Sequence, residues 1–337
     1  MRYLDSAGLD RVWSKVEQKF SAKQDKLAGV PGQTVGFDAT GAAVTRCGWS
    51  NPNLLDNWYL ADPVNQKGAA SYTADGYTID RWRSSHVEVS IKDTCIELSK
   101  TSAGYVGNLF QRIDNAGMLA GKTVTLSALV SGDVNMVLGC DGGYPLGVEH
   151  SGGAVEIISC VFTFPQSVSS CDVFLQVEKE HAVGKVYAAK FEFGSVQTLA
   201  HQDEDGRWVL DDPPPNKEIE LAKCQRFMVV YDSVQDHTIM STGVTNAAAS
   251  ALYCPIFLPA PMRARPTVKY NDIELMGIYN GHDYVAAGVG IHNVDSSISG
   301  AKFILLRLAT KGLGLTSFAP YQLNLKSGAQ LIFDANL

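Results

Sequence analysis

Residues 119–132 read LAGKTVTLSALVSG. Within them Val124, Leu126, Ala128 and Val130 fall on alternate positions, the period of a strand with one face turned to a core. Reading outward, the same period returns in Val87, Val89 and Ile91, and again in Val173, Leu175 and Val177. Phe191 and Phe193, following Val186 and Ala188, continue it. Gly, Asn, Asp and Ser clusters at 131–133 and 140–143 supply turns, and no helix of useful length lies between the strands. Successive strands without crossover helices predict an antiparallel sandwich or jelly roll over residues 51–200.

The flanks differ from this core. Over residues 5–20, Leu9, Val12, Trp13, Val16 and Phe20 recur at three- and four-residue steps, with Asp5 or Ser6 placed to cap the start. A helix this short is marginal alone in water, so its apolar stripe needs a partner, either the next part of the chain or other copies about a symmetry axis. Val35 and Phe37, the turn residues 38–41 and then Val44 predict a small hairpin. The stretch HQDEDGRWVLDDPPP (201–215) is acidic and ends in three prolines, which cannot continue a ladder, so it marks a boundary. After it, NKEIELAKCQR (216–226) predicts a helix capped by Asn216, with Ile219, Ala222 and Lys223 or Cys224 near one face. Strand-like runs FMVVY, ALYCPIFL, PTVKY, DYVAAGVGI, KFILLRLA and QLIFDANL fill 227–337. The expected organisation is therefore mainly β. An N-terminal helix and hairpin (1–50) precede a jelly-roll sandwich (51–200), an acidic Pro-rich linker with a short helix (201–226), and a C-terminal β-sandwich head (227–337).

Composition narrows the function. The 337 residues carry 28 Lys/Arg against 35 Asp/Glu, a formal charge of −7. Residues 51–226 hold 14 basic against 23 acidic side chains, and no segment is strongly basic, which argues against nucleic-acid binding by phosphate neutralisation. No run of ~18 apolar residues predicts a membrane span. The start MRYLDSAGLD lacks the apolar core of a secretion signal, so a cytosolic folding site is expected. The seven cysteines are odd in number, scattered and without a CxxC, which predicts reduced, buried thiols and no metal.

Catalytic motifs are not evident. There is no GxSxG and no HExxH, and the glycines of Gly288-Val-Gly290 and Gly312-Leu-Gly314 sit between predicted strands rather than opening a helix. Glu178-Lys-Glu180-His181 reads as a solvated hairpin turn, and Asp203-Glu-Asp205-Gly206 as a turn lacking the downstream Glu of a calcium loop. No cofactor is called for. Paired carboxylates for glycoside hydrolysis stay open, since sequence is silent on their separation.

Aromatics are more informative, because flat rings stack on sugar faces while amides and carboxylates bond the hydroxyls. Trp58-Tyr59, Tyr72, Tyr77 and Trp82 gather at the front of the sandwich, with Trp82 expected in the core. Tyr279-Asn280-Gly281-His282-Asp283-Tyr284 reads as a polar aromatic loop in the last domain. Tyr279 and Tyr284 would flank its tip, with His282 and Asp283 available to sugar hydroxyls, and these four are the expected ligand-binding residues.

Longer motifs carry a resemblance. NLLDNWYLADPVNQKG (53–68), YTADGYTIDRW (72–82), LAGKTVTLSALVSG (119–132) and FEFGSVQTLAHQ (191–202) resemble, in order, the carbohydrate-binding-module-like jelly roll of tail fibre proteins from phages and prophages of gut Firmicutes. LAKCQRF (221–227), MRARPTVKY (262–270) and IFDANL (332–337) resemble the receptor-binding heads of similar fibres, and KQDKLAGVPGQTVGFDATGAAV (23–44) their proximal segment. The resemblance implies a non-catalytic, homotrimeric receptor-binding protein of the virion tail, assembled in the host cytoplasm. Its partners would be a glycan of the host cell surface and other tail or baseplate proteins. A phage polysaccharide depolymerase, or a purely structural tail or baseplate component, is the alternative.

Overall fold

The computed structural model describes residues 11, 13–16, 33–37, 43–47, 50–100, 104–150, 152–203, 205–277, 284–287, 290–300 and 302–336. Residues 11 and 13–16 are helical, with Trp13 exposed; Leu9, Val12 and Phe20 of the predicted stripe lie outside the described residues. Strands Gln33–Phe37 and Ala43–Cys47 pair antiparallel, Phe37 opposite Ala43, as the hairpin reading required.

Two six-stranded antiparallel sheets form the sandwich. One runs, in spatial order, Gly143–His150, Val134–Cys140, Cys171–Val177, Gly107–Arg112, Arg83–Ser85, Gly76–Tyr77. The other runs Glu156–Thr163, Thr123–Gly132, Val183–Phe193, Ile96–Ser99, Glu88–Ile91, Ser71–Tyr72. Their inner faces meet in one core in which Val89, Leu98, Leu109, Val130, Met136, Leu175 and Phe191 are fully buried, and the alternation read from the sequence is this core. One phase differs from the reading. Tyr187 is bulged out between the pairs Val186–Val130 and Ala188–Leu129, so Ala188 falls on the outer face and Ala189 takes up the inward phase.

A second core is built from Val229, Leu252, Ile256, Leu306, Leu323 and Phe333, among others. It lies between a three-stranded sheet (Met228–Asp232, Gln330–Asp334, Thr267–Tyr270) and a seven-stranded one. The seven-stranded sheet includes Thr238–Thr245, Ile273–Gly277 and Pro320–Leu325, which the sequence reading did not mark as strands. Their polar, bulged or proline-led sequences mask the period; the pairing of Thr238–Thr245 with Pro320–Leu325 shifts register between Ile239 and Ser241.

Between the cores, residues Ala200–Gln202 and Trp208–Leu210 pair as a short ribbon around the Asp203–Gly206 turn. The helix Lys217–Cys224 starts where predicted, the Asn216 side chain accepting from the N–H of Glu218 (2.9 Å) and Ile219 (3.1 Å). Its buried face keeps Cys224 of the predicted one but not Ile219 or Ala222. Ile219 is exposed, whereas Glu220 and Cys224 are buried, because Glu220 Oε1 accepts the N–H of Asn57 (2.6 Å) from the sandwich. Around this helix the Arg81 guanidinium lies 3.4 Å from the Phe227 ring centroid, and Asp114 pairs with Arg263 (3.3 Å). Gln66 donates to the Met228 carbonyl (2.8 Å).

Candidate functional site

Outward-facing positions on the first sheet are set by its register. Tyr77 lies opposite Arg83, Arg83 opposite Phe110, Phe110 opposite Phe174, and Phe174 opposite Val137, giving one row perpendicular to the strands. Six strands spaced by ~4.8 Å make such a row about 24 Å long. One step along the strands, Ser85, Asn108, Gln176, Asn135 and Glu149 form a polar row. On the other side of the aromatic row, Arg112 faces Asp172 and Asp172 faces Gly139. The core side chains of the same strands, Leu109, Val173, Leu175, Met136 and Leu138, point the opposite way and are buried. Strand alternation thus projects a row of aromatic side chains, with Arg83 among them, flanked by hydrogen-bonding groups.

Local contacts hold the band in shape. The Phe110 and Phe174 rings stack at 5.1 Å with 29° between planes, and Tyr144, 67% exposed, meets Phe174 edge-on at 5.7 Å. Gly139 is the floor beside them: a Cβ there would stand 2.8 Å from Phe174 Cε2. Arg112 grips Asp172 with Nε and one Nη, at 2.9 and 3.0 Å, and this bonding pushes the Arg112 pKa up. Gln176 donates to Asn108 Oδ1 (2.7 Å), and among the described residues Asn135 makes no side-chain hydrogen bond. At the Ser85 end, the His86 and Tyr105 rings stack at 4.7 Å. The turn Asp141-Gly142, with both φ positive, closes the hairpin that presents Tyr144. Asp141 Oδ1 accepts the N–H groups of Ser169 (2.9 Å) and Ser170 (2.8 Å) and the Ser169 hydroxyl, which together hold its carboxyl down at about 2.

Two of the expected aromatics prove structural. Trp82 is fully buried, its Nε1 donating to the Asn57 carbonyl (3.0 Å), and Trp58 is buried beside it in the core. Tyr72 is half-buried, bonds Asn65 through its hydroxyl, and has its pKa pushed up to about 12 by burial. Tyr59 helps line a pocket of about 360 Å³ on the second sheet with Asp62, Asp93, Leu129 and Tyr187. Tyr77 alone of the group joins the aromatic row. Tyr279, His282 and Asp283 lie outside the described residues; Tyr284 opens the strand Tyr284–Ala287 opposite Met276, and its side chain is not described.

Phe110, Phe174 and Tyr144 were missed by the sequence reading. The available signal was an aromatic in the outward phase of an alternating strand, as in Val173-Phe174-Leu175. Among the described residues no group of three His, Cys, Asp or Glu side chains is arranged to hold a metal, and no helix is long and apolar enough to cross a membrane. Cys95, Cys140, Cys160, Cys171, Cys224 and Cys254 are free thiols; burial lifts Cys160 to about 11 and Cys254 to about 12.

No protein-family model matches the chain, and no curated protein matches it. Among solved structures, a CBM4 module is 13% identical, with 41% of this chain and 99% of the module covered, at a TM-score of 0.30. The CBM22-1 xylan-binding domain of Paenibacillus barcinonensis Xyn10C is 9% identical, covering 44% and 98%, at 0.31. The enzymatically active domain of bacteriophage CBA120 tailspike protein 4 is 12% identical, covering 42% of this chain and 21% of that one, at 0.29.

Proposed function

We propose that the chain is a non-catalytic adhesion protein, a phage tail fibre that holds the virion on a glycan of its bacterial host. The observation that carries the reading is the outward-facing band Tyr77–Arg83–Phe110–Phe174, half-buried or exposed, between an amide row and an Arg–Asp pair. Rings in a line accept the apolar faces of successive sugars, and the flanking amides and carboxylate bond hydroxyls. The head loop Tyr279, His282, Asp283 and Tyr284 is proposed as a second contact. The N-terminal helix is proposed to trimerise the chain, a role that the exposed Trp13 supports. Three copies would raise the avidity of individually weak sites.

The test measures the full-length protein's mass by light scattering and its adsorption to gut Firmicutes cells before and after periodate, which cleaves sugar diols. A trimer that adsorbs only to untreated cells is expected. Adsorption that survives periodate, or that persists unchanged in Phe110→Ala/Phe174→Ala, overturns the reading.

A further inference from the structure

Two guanidiniums stand on the open face, and they are in different states. Arg112 is engaged by Asp172 through a bidentate fork, which offsets its charge. Arg83, exposed on the neighbouring strand, has its Cζ 5.7 Å from the Phe110 ring centroid, and among the described residues no carboxylate pairs with it. Nearby acids are already used: Asp172 by Arg112, and Asp75 by the N–H of His86 (2.7 Å). Glu149 is at the far end of the sheet, on the last strand of the polar row.

We propose that the Tyr77–Arg83 end of the face is a subsite for an anionic group on the bound glycan, either a sugar carboxylate or a phosphodiester. The inference rests on the glycan-binding reading of the same face. A guanidinium presents a planar fork of donors that matches two oxygens of a carboxylate or phosphate, and it keeps its charge at any physiological pH. The aromatic ring beside it favours the cation and limits its orientations, so less freedom is lost when an anion docks. A strand rather than a loop carries the group, which fixes its height relative to Phe110 and Phe174. The acidic balance of residues 51–226 repels anions at long range, but screening at physiological salt confines such repulsion to about 8 Å, so the groups lining the subsite decide.

The experiment presents the full-length protein to an array of bacterial wall and capsular polysaccharides. Each uronate-bearing polymer is printed beside its carboxyl-reduced form, and each phosphodiester-bearing polymer beside its dephosphorylated form. At least one acidic member is expected to bind about tenfold or more tightly than its neutralised twin, the scale of a charge-assisted pair. Which of the two pairs shows the preference identifies the source of the charge. In Arg83→Gln, folded by its unchanged melting temperature, that ratio should fall towards one; Arg83→Lys, which keeps the charge without the fork, should fall between. Equal binding of every acidic polymer and its twin, or a preference that survives Arg83→Gln, overturns the subsite while leaving glycan binding in place. An array on which no polysaccharide binds overturns both.

Discussion

On the outer phase of one sheet the sequence places Thr125, Ser127, Leu129, Ser131, Lys190 and Glu192, and all six are buried. On the outer phase of the other it places Tyr77, Arg83, Phe110, Phe174, Asn108 and Gln176, and these remain half-buried or exposed. The cover on the first sheet comes from the chain itself. Asn53 bonds the edge of Val183–Phe193 at Ala189 and Phe191, while Leu199, Ala200, Trp208 and Leu210 pack against the same core. Lys190 Nζ, 1% exposed, donates to the Thr198 carbonyl (3.0 Å), Thr198 Oγ1 (2.9 Å), Asp212 Oδ2 (2.7 Å) and Ser50 Oγ. So on its outer faces the sandwich hides Lys190 and Glu192 and leaves Phe110 and Phe174 half-exposed, the reverse of what burial free energy alone would choose. A hidden charge needs every partner in place, and a shown aromatic band does nothing for the fold that an amide would not do. The first face is closed by the chain's own segments, and the second is the one we propose for glycan contact.

The strongest way to break this contrast is Lys190→Ala. It would leave Glu192 and Asp212 facing each other without their shared cation, and breaking a buried pair of this kind costs about 3–5 kcal/mol. Chemical denaturation should show that loss, with glycan affinity of the folded fraction unchanged. A stable variant would mean that the covering segment is ornamental. Next in size, Phe174→Ala should cost about 2 kcal/mol of glycan binding, as a central ring of a contact surface does, and under 1 kcal/mol of stability, since the ring is only half-buried. Calorimetry and melting on the same sample separate the two; equal losses would put Phe174 in the core.

Acidity sharpens the contrast further. Asp80 lies under the sandwich surface, where its oxygens accept the backbone N–H (2.7 Å) and side-chain amide (2.5 Å) of Gln66. Burial outweighs those bonds and pushes its carboxyl up to about 6. The unfolded value is near 3.9, so between pH 4 and 6 the folded protein holds the extra proton. Stability contributed by this group is therefore present at low pH and lost as pH rises through about 6, a swing of about 2 kcal/mol. Unfolding measured from pH 4 to 7 should show the decline, and Asp80→Asn should flatten it. Glycan affinity should not follow that decline, because Asp80 is buried away from the open face. Affinity that followed the stability curve would erase the distinction between the faces.

How much of this was legible follows the same division. Inner-face residues announced themselves by period: Val124 to Val130 and Val173 to Val177 are where alternation put them. The cap at Asn216 was equally plain, because one side chain and two N–H groups suffice to define it. The bulge at Tyr187 was not legible, since one extra residue shifts phase without altering composition. Nor was the burial of Glu220, which depends on an N–H brought from Asn57 across the fold. The band itself spans strands distant in sequence, so its residues become neighbours only through register. Tyr77 could be suspected from a local cluster; Phe110 and Phe174 needed the sheet order.

The smallest effect tests whether the packing of the band's rings matters as well as its composition. Gly139 sits at the edge of the ring stack with a backbone conformation open to any residue, so a side chain there meets no backbone strain. What it meets is Phe174: a Cβ would come within 2.8 Å of Cε2, with the Asp172 carbonyl and Tyr144 Cε1 both at 3.6 Å. The ring is the only one of the three under pressure, and it is half-buried with room to rotate outward, so Gly139→Ala should unfold within about 0.5 kcal/mol of the parent. Rotating Phe174 would break its stack on Phe110 and change the surface that the two rings present, while every polar group stays in place. A three- to fivefold fall in glycan affinity is expected, roughly 1 kcal/mol, at unchanged melting temperature. Unaltered affinity would show that sugars meet the rings one at a time and that the glycine serves only the hairpin.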